Sequence, residues 1–256
     1  MTASKSHGPL IVEQAEDGYR YSTEPFLLAD FVRPGPGASV LDVGAGCGII
    51  PLLLASRQRD LKITAVEIQE PLCELARRNV LQNGFSGSIQ TVLADFSRPE
   101  SFPRTDLFDL VVSNPPYRKM NSGRLNPDRG KAIARHELTL TLAILAKNGG
   151  ALLKPGGRIA LAYPPRRLEE VRAELVRQGL TPCRLRCVHG RPGTEAKIVL
   201  IEAVKGFSAD CAPEQPLYIY NADGSYTLET QQIYASFDYS GRSHRCRQKL
   251  GRPGAG

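Results

Sequence analysis

Short apolar runs alternate with longer stretches of helical period between Ser39 and Val204, and that alternation sets the expected elements. Ser39–Val43 (SVLDV) stops at a glycine cluster, and Ile49–Arg57 then predicts a helix. Leu61–Ile68 is rich in β-branched residues and predicts a second strand. Glu70–Leu81 has helical periodicity and closes at Asn83-Gly84, a helix-end signal. Ile89–Leu93 and Leu107–Ser113 predict the third and fourth strands. Helix is expected from about Ile133 to Leu153, followed by a turn at Pro155-Gly156-Gly157 into a fifth strand, Arg158–Tyr163. Leu168–Gln178 reads as another helix. Arg184–Val188 and Ile198–Val204 close the pattern as two strands around Gly190–Gly193.

Strands alternating with helices predict an α/β fold, a parallel sheet with helices on both faces. The final pair, with no helix between its strands, predicts an antiparallel hairpin. Residues 1–38 are expected to form a leader outside a 39–230 domain, with 231–256 a basic tail. The leader contains Gly18-Tyr19-Arg20-Tyr21-Ser22. Residues 118–132 have no apolar period and read as a basic loop, and Asn221–Gly224 reads as a turn after Leu217–Tyr220. Within the tail, residues 240–256 carry five Lys/Arg and no acid.

The 256 residues suffice for one sizeable core, and 41% hydrophobic with 23% charged residues is ordinary for a globular chain. No apolar run approaches the ~20 residues that cross a bilayer, so no membrane role is expected. Met1–Glu13 lacks the features of a signal peptide, which points to the cytoplasm. The six cysteines are scattered and make no zinc spacing; reduced thiols and no metal are expected. A net charge of +7 favours a polyanionic partner without naming one. The oligomeric state is not legible.

Candidate chemistry starts at Asp42-Val-Gly44-Ala-Gly46-Cys-Gly48, between a strand and a helix. Glycines there let backbone approach a ligand closely. A dinucleotide site needs Gly-x-Gly-x-x-Gly, with its third glycine where this chain has Ile49; Gly-x-Gly-x-Gly suits a nucleoside-methionine better. Glu67 ends the second strand, where a carboxylate can accept bonds from two ribose hydroxyls. Asp95 follows the third strand and could bond an adenine amino group.

Asn114-Pro115-Pro116-Tyr117, directly after the fourth strand, is the most specific feature. Each proline holds its predecessor extended, and neither has an N–H to compete for local carbonyls. The Asn114 side-chain oxygen and the Pro115 carbonyl are therefore presented as two fixed acceptors, with Tyr117 a flat face beside them. Such a pair can hold the hydrogens of a ring-conjugated amine, whose lone pair is otherwise delocalised, and aim it at an electrophilic methyl. Positioning then supplies most of the catalysis, with no metal or strong base. Stacking on Tyr117 would hold an extruded base. Arg118, Lys119, Arg124, Arg129 and Lys131 follow at once and could clamp RNA. His136 reads as packing or phosphate binding more readily than as a base.

Together these motifs resemble the class I S-adenosylmethionine-dependent methyltransferases that act on amino nitrogens. Gly18–Ser22, Ala134–Glu137, Arg191–Lys197 and Pro216–Asn221 further resemble the bacterial valine-tRNA adenine-N6 methyltransferase family, over roughly residues 12–230. The resemblance implies a Rossmann-like, seven-stranded, mostly parallel sheet with its last strand antiparallel. It implies that Asp42, Gly44, Gly46, Gly48, Glu67 and Asp95, with Asn114, hold the cofactor. Asn114, Pro115 and Tyr117 would act on the target amine, with Pro116 and the basic loop at a tRNA substrate. The resemblance does not extend to the arginine-rich tail after Tyr239. Rival readings stay open: a protein glutamine methyltransferase, a DNA adenine methyltransferase, a non-catalytic RNA-binding module that keeps the pocket, and a dinucleotide oxidoreductase.

Overall fold

Strands β1 (Ser39–Val43), β2 (Lys62–Glu67), β3 (Ile89–Leu93), β4 (Phe108–Ser113), β5 (Leu153–Tyr163), β6 (Leu180–His189) and β7 (Ala196–Lys205) form one sheet in the order β3-β2-β1-β4-β5-β7-β6. Two-residue strands β8 (Ala212–Pro213) and β9 (Leu217–Tyr218) both pair with β6. This is the arrangement in a computed structural model, which describes residues 9–14, 23–98, 107–115, 140–208 and 210–237. The pairings from β3 to β5 are all parallel, and β7 runs antiparallel to both β5 and β6. The seven long strands therefore have the expected order of directions, with β8 and β9 as additions.

Helices α1 (Glu24–Phe31), α2 (Ile49–Arg57), α3 (Glu70–Gln82), α4 (Leu142–Leu152), α5 (Leu168–Arg177) and α6 (Leu228–Ala235), with a single 3-10 turn at Pro165–Arg167, complete the described elements. The central strands are buried on both faces, as covered parallel sheets are. Val40 and Val112 join one core with α1 and α2, while Leu41, Val43 and Val111 join the other with α4 and α5. No described helix is long and apolar enough to cross a membrane.

Four expectations change. The stretch 1–38 is not all outside the core: six of the eight α1 residues are buried, and Leu10 and Val12 join the same cluster. Only Glu24 and Asp30 of α1 are polar, so the helix has no narrow apolar stripe to betray it. The stretch from 231 also packs at its start. Phe26 of α1 lies 4.9 Å from the Tyr234 ring and 6.1 Å from that of Phe237, which is fully buried under the Arg57 guanidinium. Pro155-Gly156-Gly157 is not a turn before β5 but a bulge within it: Phe108 pairs with Leu153 and Leu110 with Arg158. A Cβ on Gly157 would sit 2.9 Å from the Lys154 carbonyl oxygen, so the bulge requires glycine. The expected helix from Ile133 begins at Leu142 in the described residues, where the Thr141 side chain caps it; 133–139 lie outside them.

On the far side of the sheet, buried Glu202 of β7 pairs with Arg184 of β6 at 3.3 Å and Arg158 of β5 at 3.5 Å. Arg184 also reaches Glu214 at 2.7 Å and donates to the Phe31 carbonyl at 3.1 Å. One ionic cluster thus joins three strands to the end of α1.

Candidate functional site

The pairing register brings three sequence motifs level at the carboxyl ends of neighbouring strands. The β1–β4 ladder ends at Asp42 and Val112, so the glycine loop and Asn114 leave neighbouring strands two residues further on. Val43 pairs with Val66, which sets Glu67 on the other side of Gly44. The Ser113 hydroxyl donates to the Val43 carbonyl at 2.7 Å and ties the two strand ends together. Ligands of open α/β sheets bind at this edge.

The Gly44 and Ala45 amides both donate to the Val66 carbonyl, at 2.9 and 3.0 Å, turning the chain off β1. Gly44, Gly46 and Gly48 all have positive φ, at 75°, 57° and 83°. Gly48 is doubly constrained, because a Cβ there would lie 3.3 Å from that of Ala76 on α3. A Cβ on Gly46 would meet nothing within 4 Å, so the space before it is open.

Glu67 is buried beneath this loop, its Oε2 accepting the Gly46 amide at 2.9 Å and its Oε1 the Gln69 amide at 2.8 Å. Both oxygens are thus engaged with backbone. Asp42 differs: its carboxylate oxygens are buried without a hydrogen-bond partner. Burial, and then the charge of Glu67, push its carboxyl up to about 8. Burial pushes the neighbouring Cys47 thiol up to about 12, so it stays protonated and unreactive at neutral pH.

Asp95 lines an open pocket with Gly44, Val66, Ile68, Phe96 and Leu140. Its Oδ1 accepts from the Ser97 amide and hydroxyl at 2.9 and 2.6 Å. Asn114 is half-buried and Pro115 buried. Pro116, Tyr117, Arg118, Lys119, Arg124, Arg129, Lys131 and His136 lie outside the described residues, as does Gly18–Ser22. Arg191–Lys197 turns from β6 to β7 at the same sheet edge, and the segment after β9 braces it, with Ile219 and Tyr220 amides donating to His189 and Gly190 carbonyls. The expected turn at Asn221–Gly224 is present.

Sequence reasoning missed Asn79 on α3. It is fully buried, and its Nδ2 donates to the Cys47 carbonyl of the glycine loop at 2.9 Å. A polar residue on the core-facing side of an otherwise apolar helix stripe was the available signal.

Over residues 22–162 the sequence matches the methyltransferase small domain, more than half of the chain. The chain belongs to this family. The methyltransferase is 35% identical over 234 residues to the tRNA1(Val) (adenine(37)-N6)-methyltransferase of Porphyromonas gingivalis, covering 88% of this chain and 91% of that protein. Proteins of the same name from Serratia proteamaculans and Aeromonas hydrophila are 31% and 29% identical, each covering 85% of this chain. Among solved structures, a predicted O-methyltransferase from Agrobacterium tumefaciens matches with a TM-score of 0.67 at 24% identity, over 86% of this chain and 99% of that one. A methyltransferase from Pyrococcus furiosus matches at 0.56 and 21%, over 77% and 90%. Both share the fold of this methyltransferase, and S-adenosylmethionine is the methyl donor that family and fold imply.

Proposed function

We propose that this methyltransferase carries the methyl group of S-adenosylmethionine to the exocyclic 6-amino group of an adenine in tRNA, next to the anticodon of a valine tRNA. The observation that carries the reading is that Asn114 and Pro115 follow directly on β4, the neighbour of the strand that runs into the glycine loop. The names of the relatives, over most of this chain, support the substrate.

The donor supplies a methyl group on a sulfonium, already electrophilic. Asp42, Gly44, Gly46, Gly48, Glu67, Asp95 and Asn114 are the residues proposed to hold it. They fit its chemistry in two respects. The buried carboxyl of Asp42 has hydrogen-bonding capacity that no protein group takes up, and open space lies before Gly46. On the acceptor side, the Asn114 oxygen and the Pro115 carbonyl would take the two amine hydrogens, which frees the nitrogen lone pair for attack. Tyr117 would stack on the extruded adenine beside Pro116. Arg118, Lys119, Arg124, Arg129 and Lys131 would take phosphates.

Radiolabelled S-adenosylmethionine incubated with the protein and RNA, DNA or protein extracts tests the reading. Label recovered as N6-methyladenosine in valine tRNA is expected. Label on a protein glutamine or on DNA would replace the substrate, and no transfer to any of them would leave a binding module.

A further inference from the structure

Residues Leu10–Gln14 run along α3, held by side chains where a sheet would use a neighbouring strand. Asn83 Oδ1 accepts the Ile11 amide at 3.0 Å, and its Nδ2 donates to the Ile11 carbonyl at 2.7 Å. One helical turn earlier, Asn79 Oδ1 accepts the Glu13 amide at 2.9 Å, and its Nδ2 donates to the Glu13 carbonyl at 2.9 Å. Residues four apart on a helix share a face, and residues two apart share a side of an extended chain. Two side-chain amides therefore serve as the peptide groups of an absent strand. Leu10 and Val12, on the alternate side, are buried in the core, while Ile11 is exposed.

Asn79 does more than hold this strap. Its second N–H goes to the Cys47 carbonyl, between Gly46 and Gly48, and its oxygen also accepts from Gln82 at 2.8 Å. Two donors and two acceptor bonds use its whole capacity. The loop is thus pinned at the Gly46 amide by Glu67 and at the Cys47 carbonyl by Asn79. If the strap lifted, a fully buried amide would lose two of its four partners and would turn away from Cys47 to replace them.

We propose that Asn79 and Asn83 are positioning residues of the methyl-donor site: they seat the strap Leu10–Gln14 on α3, and Asn79 passes that docking to the glycine loop, so strap docking sets donor affinity. The inference rests on the loop being the donor site. Linkage is reciprocal, so bound donor must in turn hold the strap down.

Calorimetry with S-adenosylmethionine and amide hydrogen exchange, on the full chain without RNA, test it. Asn79→Ala is expected to raise the donor Kd roughly tenfold, and Asn83→Ala about threefold to tenfold although it touches no loop residue. Arg77→Ala, on the same helix, should leave Kd unchanged. In the wild type, donor should slow exchange at Ile11 and Glu13, an effect lost in both asparagine variants. An Asn83→Ala protein that is less stable but binds donor with wild-type affinity, with exchange at Ile11 and Glu13 indifferent to donor, overturns the inference alone. Wild type that binds no donor overturns the donor-site reading as well. Should Asn79→Ala not fold, the Asn83→Ala affinity and wild-type exchange still decide.

Discussion

At the scale of single residues, Asp42 makes a prediction that follows from burial alone. Its carboxyl is raised from 3.8 to about 8 in the folded chain, so between those values the unfolded state holds fewer protons. The stability contributed by the protonated form is whole below pH 3.8 and is lost as pH rises through 8. Each unit inside that window is worth about 1.4 kcal/mol. Asp42→Asn should therefore gain stability over wild type as pH rises from 5 to 8, by about 2–4 kcal/mol in all. Urea unfolding at several pH values without donor checks this; a difference that does not grow with pH contradicts it. Asn114 should behave otherwise. Asn114→Ala is expected to lose about 100-fold or more in kcat, the size seen when one transition-state hydrogen bond is removed, with donor Kd moving far less. Single-turnover assays beside calorimetry separate the two. The glycines, Glu67 and Asn114 were legible because a short local pattern carries them. The isolation of Asp42 and the reach of Asn79 were not, since both depend on which distant backbone lies opposite.

At the scale of elements, strand and helix boundaries from Ser39 to Leu93 were readable nearly to the residue. There, β1 ends at a glycine cluster and α3 at Asn83-Gly84, and the periods change sharply between them. α1 and α6 were not readable: one is apolar everywhere but Glu24 and Asp30, and the other buries only two of its residues, Thr230 and Ile233. Phe237 just beyond α6 fills the gap against α1, so Phe237→Ala should destabilise by about 3–5 kcal/mol in chemical denaturation. A loss under 1 kcal/mol would show that α6 is not part of the core. The glycine loop gives a paired test. Gly48→Ala meets both a positive φ and Ala76, and should cost about 1–3 kcal/mol of stability. Gly46→Ala strains the backbone in open space, and its methyl should act mainly against donor binding. Equal stability losses with equal donor affinity would count against that division.

At the scale of the whole molecule, the sheet order places the glycine loop and Asn114 on central neighbours, which is why a local reading of two distant motifs could assemble one site. Saturating S-adenosylmethionine should stabilise the fold by about 2.7 kcal/mol at 100 times its Kd, while NAD should not. Thermal unfolding with each ligand reads this directly, and a shift with NAD alone would reverse the choice made from Ile49. The ionic cluster at Glu202 bears on a different matter, the routes by which such a sequence can change over generations. Losing Arg184 alone would leave the buried Glu202 with only the half-exposed Arg158 at 3.5 Å, and breaking a buried pair so that one charge is left uncompensated costs about 3–5 kcal/mol. Drift at these positions is therefore gated in one direction: relatives that lack the arginine on β6 should lack the buried glutamate opposite it too, whereas the arginine, held also by Glu214, can outlast the glutamate.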